Sequence, residues 1–327
     1  MKKRVFSGIQ PTGVFHIGNY LGAVRHWAAK QDEYDNIFCI VDLHAITVPQ
    51  DPVLLKGRIR EFAGLLMASG IDPEKSIVFV QSHLPAHAEL AWILNCFIPV
   101  GWMQRMTQYK EKVAKQKEQV TVGLFDYPSL MAADILLYDT DIVPVGDDQK
   151  QHVELARDVA QRFNYLYGET FRLPEPVIAS IGARIMGLDD PTRKMSGSEE
   201  STGHSIYALD SPDDIRSKIM RATTDSLREI RFDEKRPGIF NLLAIYQGFT
   251  GLSDSDIEAK FVGKGYSDFK KELAEVVVEG LRPIQERYQN LTAEPGYIDS
   301  VFAAGLAKAR PMAEKKLAEV QQKVGLG

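Results

Sequence analysis

Short runs of buried-type apolar residues alternate with stretches of helical period from the start of the chain, and this alternation restricts the fold more than any other feature. Residues 5–9, 37–41, 77–80 and 142–145 read as strands. Between them, Tyr20, Leu21, Val24, Trp27 and Ala28 recur with helical spacing, and 52–69, 86–97, 104–117, 127–138 and 149–167 read as helices. Strands that are apolar throughout and separated by helix-length segments must run parallel and be covered on both faces. The expected fold is therefore α/β, a Rossmann-like doubly wound parallel sheet. After Gly203 strand signals thin out, and 212–222, 239–249, 266–291 and 297–324 read as helices, which predicts a C-terminal all-helical domain. The expected division is 1–186 for the α/β domain with a helical insertion at about 104–140, a polar loop at 187–203, and the helical domain at 204–327.

The first strand runs into Gly8-Ile9-Gln10-Pro11-Thr12-Gly13, which has the glycine spacing of a phosphate loop but carries Val14 where that loop needs its lysine. His16, Gly18 and Asn19 then open the first helix, where free N–H groups and the macrodipole favour phosphate. A plain turn before a capped helix also fits this decapeptide. Far downstream, Lys194-Met195-Ser196-Gly197-Ser198 lies in a polar loop beside Ile185 and Met186, whose backbone can meet an adenine edge. A triphosphate needs both parts: a turn that receives phosphate and a separate lysine that follows charge at the α-phosphate.

Two further segments bear on a ligand. Tyr127, Met131, Asp134 and Tyr138 share one helical face, apolar except for Asp134. A carboxylate there needs donors. A flat apolar ligand with one N–H or O–H supplies one, as would neighbouring protein groups. Gly146-Asp147-Asp148-Gln149 closes the fourth strand and opens a helix, at the edge where doubly wound sheets bind ligands; either Asp also fits an ordinary N-cap.

The 327 residues carry a formal net charge of -5, which argues against a uniformly basic surface for DNA. Local basic runs remain: Arg105, Lys110, Lys112, Lys115 and Lys117, and Lys308, Arg310, Lys315, Lys316 and Lys323. Two thiols, Cys39 and Cys96, without C-x-x-C spacing, suggest no disulfide framework or zinc site and a reducing compartment. His83 and His87 are spaced as a helical pair, but Pro85 intervenes and no H-E-x-x-H is present, so no metal site is expected. With no apolar run of membrane-spanning length, the expectation is a cytoplasmic protein without membrane contact.

With these segments in one order, the chain resembles the class I aminoacyl-tRNA synthetases, and within them the bacterial tryptophanyl branch, over nearly its whole length. The turn resembles that family's HIGH-type motif and Lys194 to Ser198 its KMSKS-type motif. Residues 130–138, 143–149 and 182–186 resemble segments separating tryptophanyl from tyrosyl enzymes. The resemblance implies that Gln10, Pro11, Thr12, Gly18, Asn19, Gly146, Asp147, Asp148, Ile185, Lys194, Met195, Ser196, Gly197 and Ser198 contact ATP, brought in as its Mg2+ complex. It implies Asp134 as acceptor of the indole N–H, with Phe6, His44, Tyr127, Met131, Val143, Val145 and Gln149 around tryptophan. His16, Gly18, Asn19, Lys112, Lys194 and Ser196 are the expected catalytic set, tRNA the second substrate, the helical domain its anticodon reader, and a homodimer the assembly. A tyrosyl enzyme, a small-molecule adenylyltransferase and a non-catalytic tryptophan-sensing paralogue are the rival readings. The family's usual second lysine is Gly197 here, with Lys112 or Arg193 as candidate substitutes. Gly197→Lys is expected to change mainly the KM for ATP; steady-state kinetics unchanged in both KM and kcat would show that the position does not contact phosphate.

Overall fold

The computed structural model describes residues 2–107, 109–110, 120–146, 149–178, 184–199, 201, 203–227 and 229–327. Five strands, β1 (Arg4–Ile9), β2 (Asp35–Ile40), β3 (Ile77–Val80), β4 (Ile142–Val145) and β5 (Glu175–Ile178), form one parallel sheet in the order β3-β2-β1-β4-β5. The strand expectations hold to within two residues, and β5 is the strand sequence reasoning missed. Its residues Glu175, Val177 and Ile178 are exposed, so it lacks the buried apolar signature, and Pro176 is tolerated because the strand lies at the sheet edge.

Side chains of β2 alternate between the two faces, as strand geometry requires. Phe38 and Ile40 enter one apolar cluster, Ile37 and Cys39 the other. The helices of the α/β half are α1 (Ile17–Asn19), α2 (Arg25–Lys30), α3 (Asp42–Ala45), α4 (Pro52–Ala68), α5 (Ala86–Asn95), α6 (Val100–Gln104), α7 (Val122–Leu136) and α8 (Lys150–Tyr167). A single π-helical turn, Tyr20–Val24, joins α1 to α2. Polar caps fix their starts: the Asp51 carboxylate accepts from Val53 and Leu54 N–H before Pro52-led α4, and the Thr121 hydroxyl accepts from Leu124 N–H before α7. The expected helix 104–117 lies largely outside the described residues, and α7 begins five residues before its expected start.

The C-terminal half is helical as expected: α9 (Pro212–Arg221), α10 (Pro237–Thr250), α11 (Asp254–Lys260), α12 (Tyr266–Ala293) and α13 (Tyr297–Val324). Its packing differs from a free-standing appendage. Ile298, Val301 and Phe302 of α13 join the first cluster, while Ala309, Ala313, Leu317 and Val320 join the second. The last helix thus runs along the sheet edge and covers β3. It approaches so closely that a side chain at Gly305 would overlap the Val78 carbonyl. This covering hides an edge strand that would otherwise present unpaired backbone.

One member of the expected basic C-terminal surface is not on the surface at all. Lys316 is 7% exposed and donates to the Thr170 carbonyl at 2.6 Å, with Asp139 Oδ1 and Glu319 Oε2 each at 2.9 Å. Its position on α13 faces the second cluster, so its ammonium ties the helix to the loop ends beneath. Lys316→Ala should lower unfolding stability by about 1.5–3 kcal/mol, the range for hydrogen bonds to charged groups; urea denaturation of the two proteins measures it.

Candidate active site

In the strand order, connections from β1 lead toward β2 and β3, whereas β4 and β5 lie on the other side of β1. The C-terminal ends of β1 and β4 therefore bound a crevice at the point where the winding direction reverses, which is where open α/β sheets bind ligands. Gly8, Gln10 and Gly146 are exposed at this edge.

Beneath the crevice sits Asp134 on α7, 1% exposed. Its Oδ2 lies 2.8 Å from His44 Nε2; its Oδ1 lies 2.6 Å from His87 Nδ1 and accepts from Gln81 Nε2 at 2.6 Å. His87 Nε2 meets the Tyr138 hydroxyl at 2.8 Å. Burial opposes the charge on Asp134, yet the hydrogen bonds from His44 and His87, with the attraction of those rings, hold its carboxyl well below the usual carboxylate range. An ionised carboxylate has about four acceptor positions; two are filled on Oδ1 and one on Oδ2, so Oδ2 keeps capacity for one more donor. Gln81 and His87 were not among the expected site residues. The need of a buried carboxylate for donors was the signal, but only the fold shows that the donors stand at the end of β3 and in the first turn of α5.

Two other expected residues lie against His44. Gln10 donates through Nε2 to the His44 carbonyl at 3.1 Å, and the His44 ring meets Tyr127 edge-on with centroids 6.4 Å apart. The Tyr127 hydroxyl is 2.8 Å from His152 Nε2. Phe6 and Val143 are buried, Met131, Val145 and Gln149 half-buried, and Phe6 stacks on Tyr138 at 5.7 Å. Lys112, Asp147 and Asp148 lie outside the described residues, as do Gly182 and Ala183.

The opening turn is organised by His16. Its Nδ1 accepts the Gly18 N–H at 3.1 Å, while the Asn19 side-chain Oδ1 accepts the His16 N–H at 3.0 Å, a reciprocal capping box. The Asn19 N–H goes to the His16 carbonyl at 2.9 Å. The two amides that the sequence offers to phosphate are thus engaged within the turn. Because Nδ1 accepts, a neutral ring carries its hydrogen on Nε2 and donates from there. Burial first, then the positive groups of Lys194 and His204, bring the His16 pKa down to about 4.

The lysine loop docks onto this turn. Val14 N–H donates to the Gly197 carbonyl at 3.0 Å. Gly13 adopts φ +71°, and a Cβ on it would come within 2.8 Å of Ser198 N; one on Gly197 would overlap the Val14 carbonyl. Glycine at 197 thus permits backbone to lie on backbone, which a second lysine would prevent in this arrangement. Met195 is buried and its N–H donates to the Ile185 carbonyl at 3.0 Å, while the Ser205 hydroxyl donates to the Ser196 carbonyl at 2.7 Å. Asn241 accepts from Met186 N–H at 2.8 Å and donates to its carbonyl at 2.9 Å, so Met186 N–H is not open to an adenine edge. Arg193, a candidate substitute for the missing lysine, pairs with Glu199.

These features define a parallel α/β protein whose lysine loop docks on the turn after β1 and whose buried, donor-lined carboxylate lies on α7. The family described as tRNA synthetases class I (W and Y) matches residues 1–282, and the chain belongs to it. Within that family it is similar to the tryptophan–tRNA ligase of Wolinella succinogenes, 60% identical over 326 residues that cover 100% of this chain and 99% of that protein. Among solved structures it is similar to tryptophanyl-tRNA synthetase from Mycoplasma pneumoniae, with TM-score 0.93, 38% identity and coverage of 100% and 99%. The Campylobacter jejuni enzyme complexed with ADP and tryptophan superposes with TM-score 0.84 at 37% identity, covering 99% and 100%.

The depressed His16 pKa has a sign that can be checked. A histidine kept neutral in the folded state leaves full stability above its ordinary pKa of 6.5; as pH falls from 6.5 through about 4 the unfolded chain takes up the proton first and stability declines. His16→Gln should reduce that decline by up to about one proton's worth of slope, measured by chemical denaturation at a series of pH values between 4 and 7.

Proposed function

We propose that this protein activates L-tryptophan with ATP and transfers it to the 3′ end of tRNA(Trp). The observation that carries the reading is the buried Asp134 carboxylate, held ionised by hydrogen bonds from His44 and His87 and left, among the described residues, with one acceptor position on Oδ2. An indole N–H fits that position, and the apolar surroundings of Phe6, Tyr127, Met131, Val143 and Val145 fit the ring. Phenylalanine would leave the acceptor unpaired, and unpaired buried groups reject such analogues by orders of magnitude. A tyrosyl enzyme would need the same carboxylate to accept a phenol, but full-length relatives at 50–60% identity are tryptophan–tRNA ligases.

In the first step a tryptophan carboxylate oxygen attacks the α-phosphorus of Mg-ATP, the bond to the bridging oxygen breaks, and pyrophosphate leaves with that electron pair. No covalent enzyme intermediate is needed. The protein's part is positioning and charge stabilisation. The neutral His16 donates from Nε2 toward phosphate, and Lys194 follows the developing charge, with Lys112 as a second candidate. Ser196 and Ser198, whose hydroxyls lie 3.0 Å apart, offer further donors on the docked loop. Gly18 and Asn19 act by fixing the His16 ring. Gln10, Pro11, Thr12, Gly146, Asp147, Asp148, Ile185, Met195 and Gly197 line the nucleotide, and Gln149 the amino acid. Magnesium enters on the triphosphate, held largely by phosphate and water. In the second step a terminal ribose hydroxyl of tRNA takes the acyl group and AMP leaves.

The exposed cations Lys308, Lys315 and Lys323 on α13 support contact with the anticodon end of tRNA. A homodimer and a cytoplasmic setting complete the reading; among the described residues no helix is long and apolar enough to cross a membrane. Retention of His16 and Lys194 in one docked arrangement speaks for an active enzyme over a tryptophan sensor.

Tryptophan-dependent ATP–pyrophosphate exchange tests the proposal. Wild-type protein should exchange with tryptophan and not with tyrosine or phenylalanine. Asp134→Ala should keep the fold by circular dichroism and lose about 10²-fold or more in kcat/KM for tryptophan, given the strength of hydrogen bonds to charged groups. Equal exchange with tyrosine, or an unaffected Asp134→Ala protein, would end this reading.

A further inference from the structure

His204 lies outside every motif that the sequence singles out, yet its ring is 2% exposed and both its nitrogens are engaged. Nδ1 is 2.6 Å from Asp189 Oδ1, and Nε2 is 3.1 Å from the main-chain carbonyl of Lys194. Both partners are oxygen acceptors, so the ring satisfies both together only by donating from both nitrogens. Beneath the ring is Gly187. A Cβ there would fall inside the imidazole, overlapping Cε1 and Nδ1 and standing 2.7 Å from Nε2. The segment is braced from every side. Leu188 N–H donates to the His204 carbonyl at 3.0 Å, Gly187 N–H to the Arg193 carbonyl at 2.8 Å, and the Ser201 hydroxyl to Asp189 Oδ2 at 2.6 Å. From beyond the C-terminal end of α9, Thr223 donates through N–H to the Leu188 carbonyl at 2.7 Å and through its hydroxyl to the Asp189 carbonyl at 2.8 Å.

We infer that His204 is a positioning residue for adenylate formation, its ring stapling the backbone of Lys194 to Asp189, with Gly187 kept side-chain-free to admit it. The inference rests on the reading of function given above and adds a part to it. Lys194 is the motif's one lysine in this chain, because Gly197 replaces the second. Its exposed side chain has many rotamers, so the accuracy with which its ammonium meets the α-phosphate depends on where its backbone is held. The staple fixes that backbone at its carbonyl, while the Met195 N–H bond to Ile185 fixes the next peptide. Charge placed at His204 also acts on His16 across the same site, in the direction that keeps the His16 ring neutral.

The glycine makes the test specific. Pyrophosphate exchange is measured for wild type, His204→Ala, Gly187→Ala and the double variant, together with Tm for each. His204→Ala should lose about tenfold or more in kcat/KM for ATP while KM for tryptophan stays within about twofold. Gly187→Ala should show a comparable loss, because its methyl displaces the ring. The double variant should be no worse than His204→Ala alone, since removing the ring removes the three atoms nearest to that methyl. ATP kinetics of the wild type retained in His204→Ala, a harmless Gly187→Ala, or additive losses in the double variant would each overturn the staple. Exchange by the unaltered protein is the control: its absence defeats the reading of function, whereas its presence with unaffected variants defeats only the staple.

Discussion

A single carboxylate taken out of water sets the terms for this molecule. An ionised side chain at 1% exposure survives only when its hydrogen-bonding capacity is nearly filled. Asp134 draws its partners from α3, from the end of β3 and from α5, so three elements of the sheet layer must arrive in register before the charge is tolerable. The Tyr138 hydroxyl against His87 extends the chain of bonds, and burial together with nearby Cys39 and Asp134 pushes that phenol well above its ordinary pKa. It stays a neutral hydroxyl that bonds the ring without adding a second negative charge.

Much of this was legible in the sequence where one residue type could serve only one purpose. The four expected strands were legible because short, largely apolar runs recur between stretches of helical period, and the helical face carrying Tyr127, Met131 and Asp134 followed from spacing. The two motifs pointed to the crevice at β1 and β4. The fifth strand was invisible because an exposed edge has no apolar signature. The return of α13 to the sheet was equally hidden, since its amphipathic pattern says that a face is buried but not against what.

The site shows the same limit. Donors to Asp134 could be inferred as a need, but Gln81 and His87 lie 53 and 47 positions away and carry no motif. Gly18 and Asn19 read naturally as phosphate donors, and only the geometry reveals that their N–H groups organise His16 instead. Gly197 looked like a lost lysine; in the fold it is also what lets the loop backbone rest on Val14. His204 had no signal of its own beyond a glycine seventeen residues earlier, which means nothing until the two are seen in contact.

The covering of β3 by α13 has a mechanical consequence. Arg310 on that helix donates to the His83 carbonyl at 3.3 Å, Gln321 to Glu89 at 2.6 Å, and Phe302 meets the His83 ring edge-on at 6.2 Å. These contacts flank the short stretch of chain that carries Gln81 and His87. A push delivered to the far end of the last helix is therefore resisted at His83 and Glu89, each two positions from a side chain that braces the buried acid.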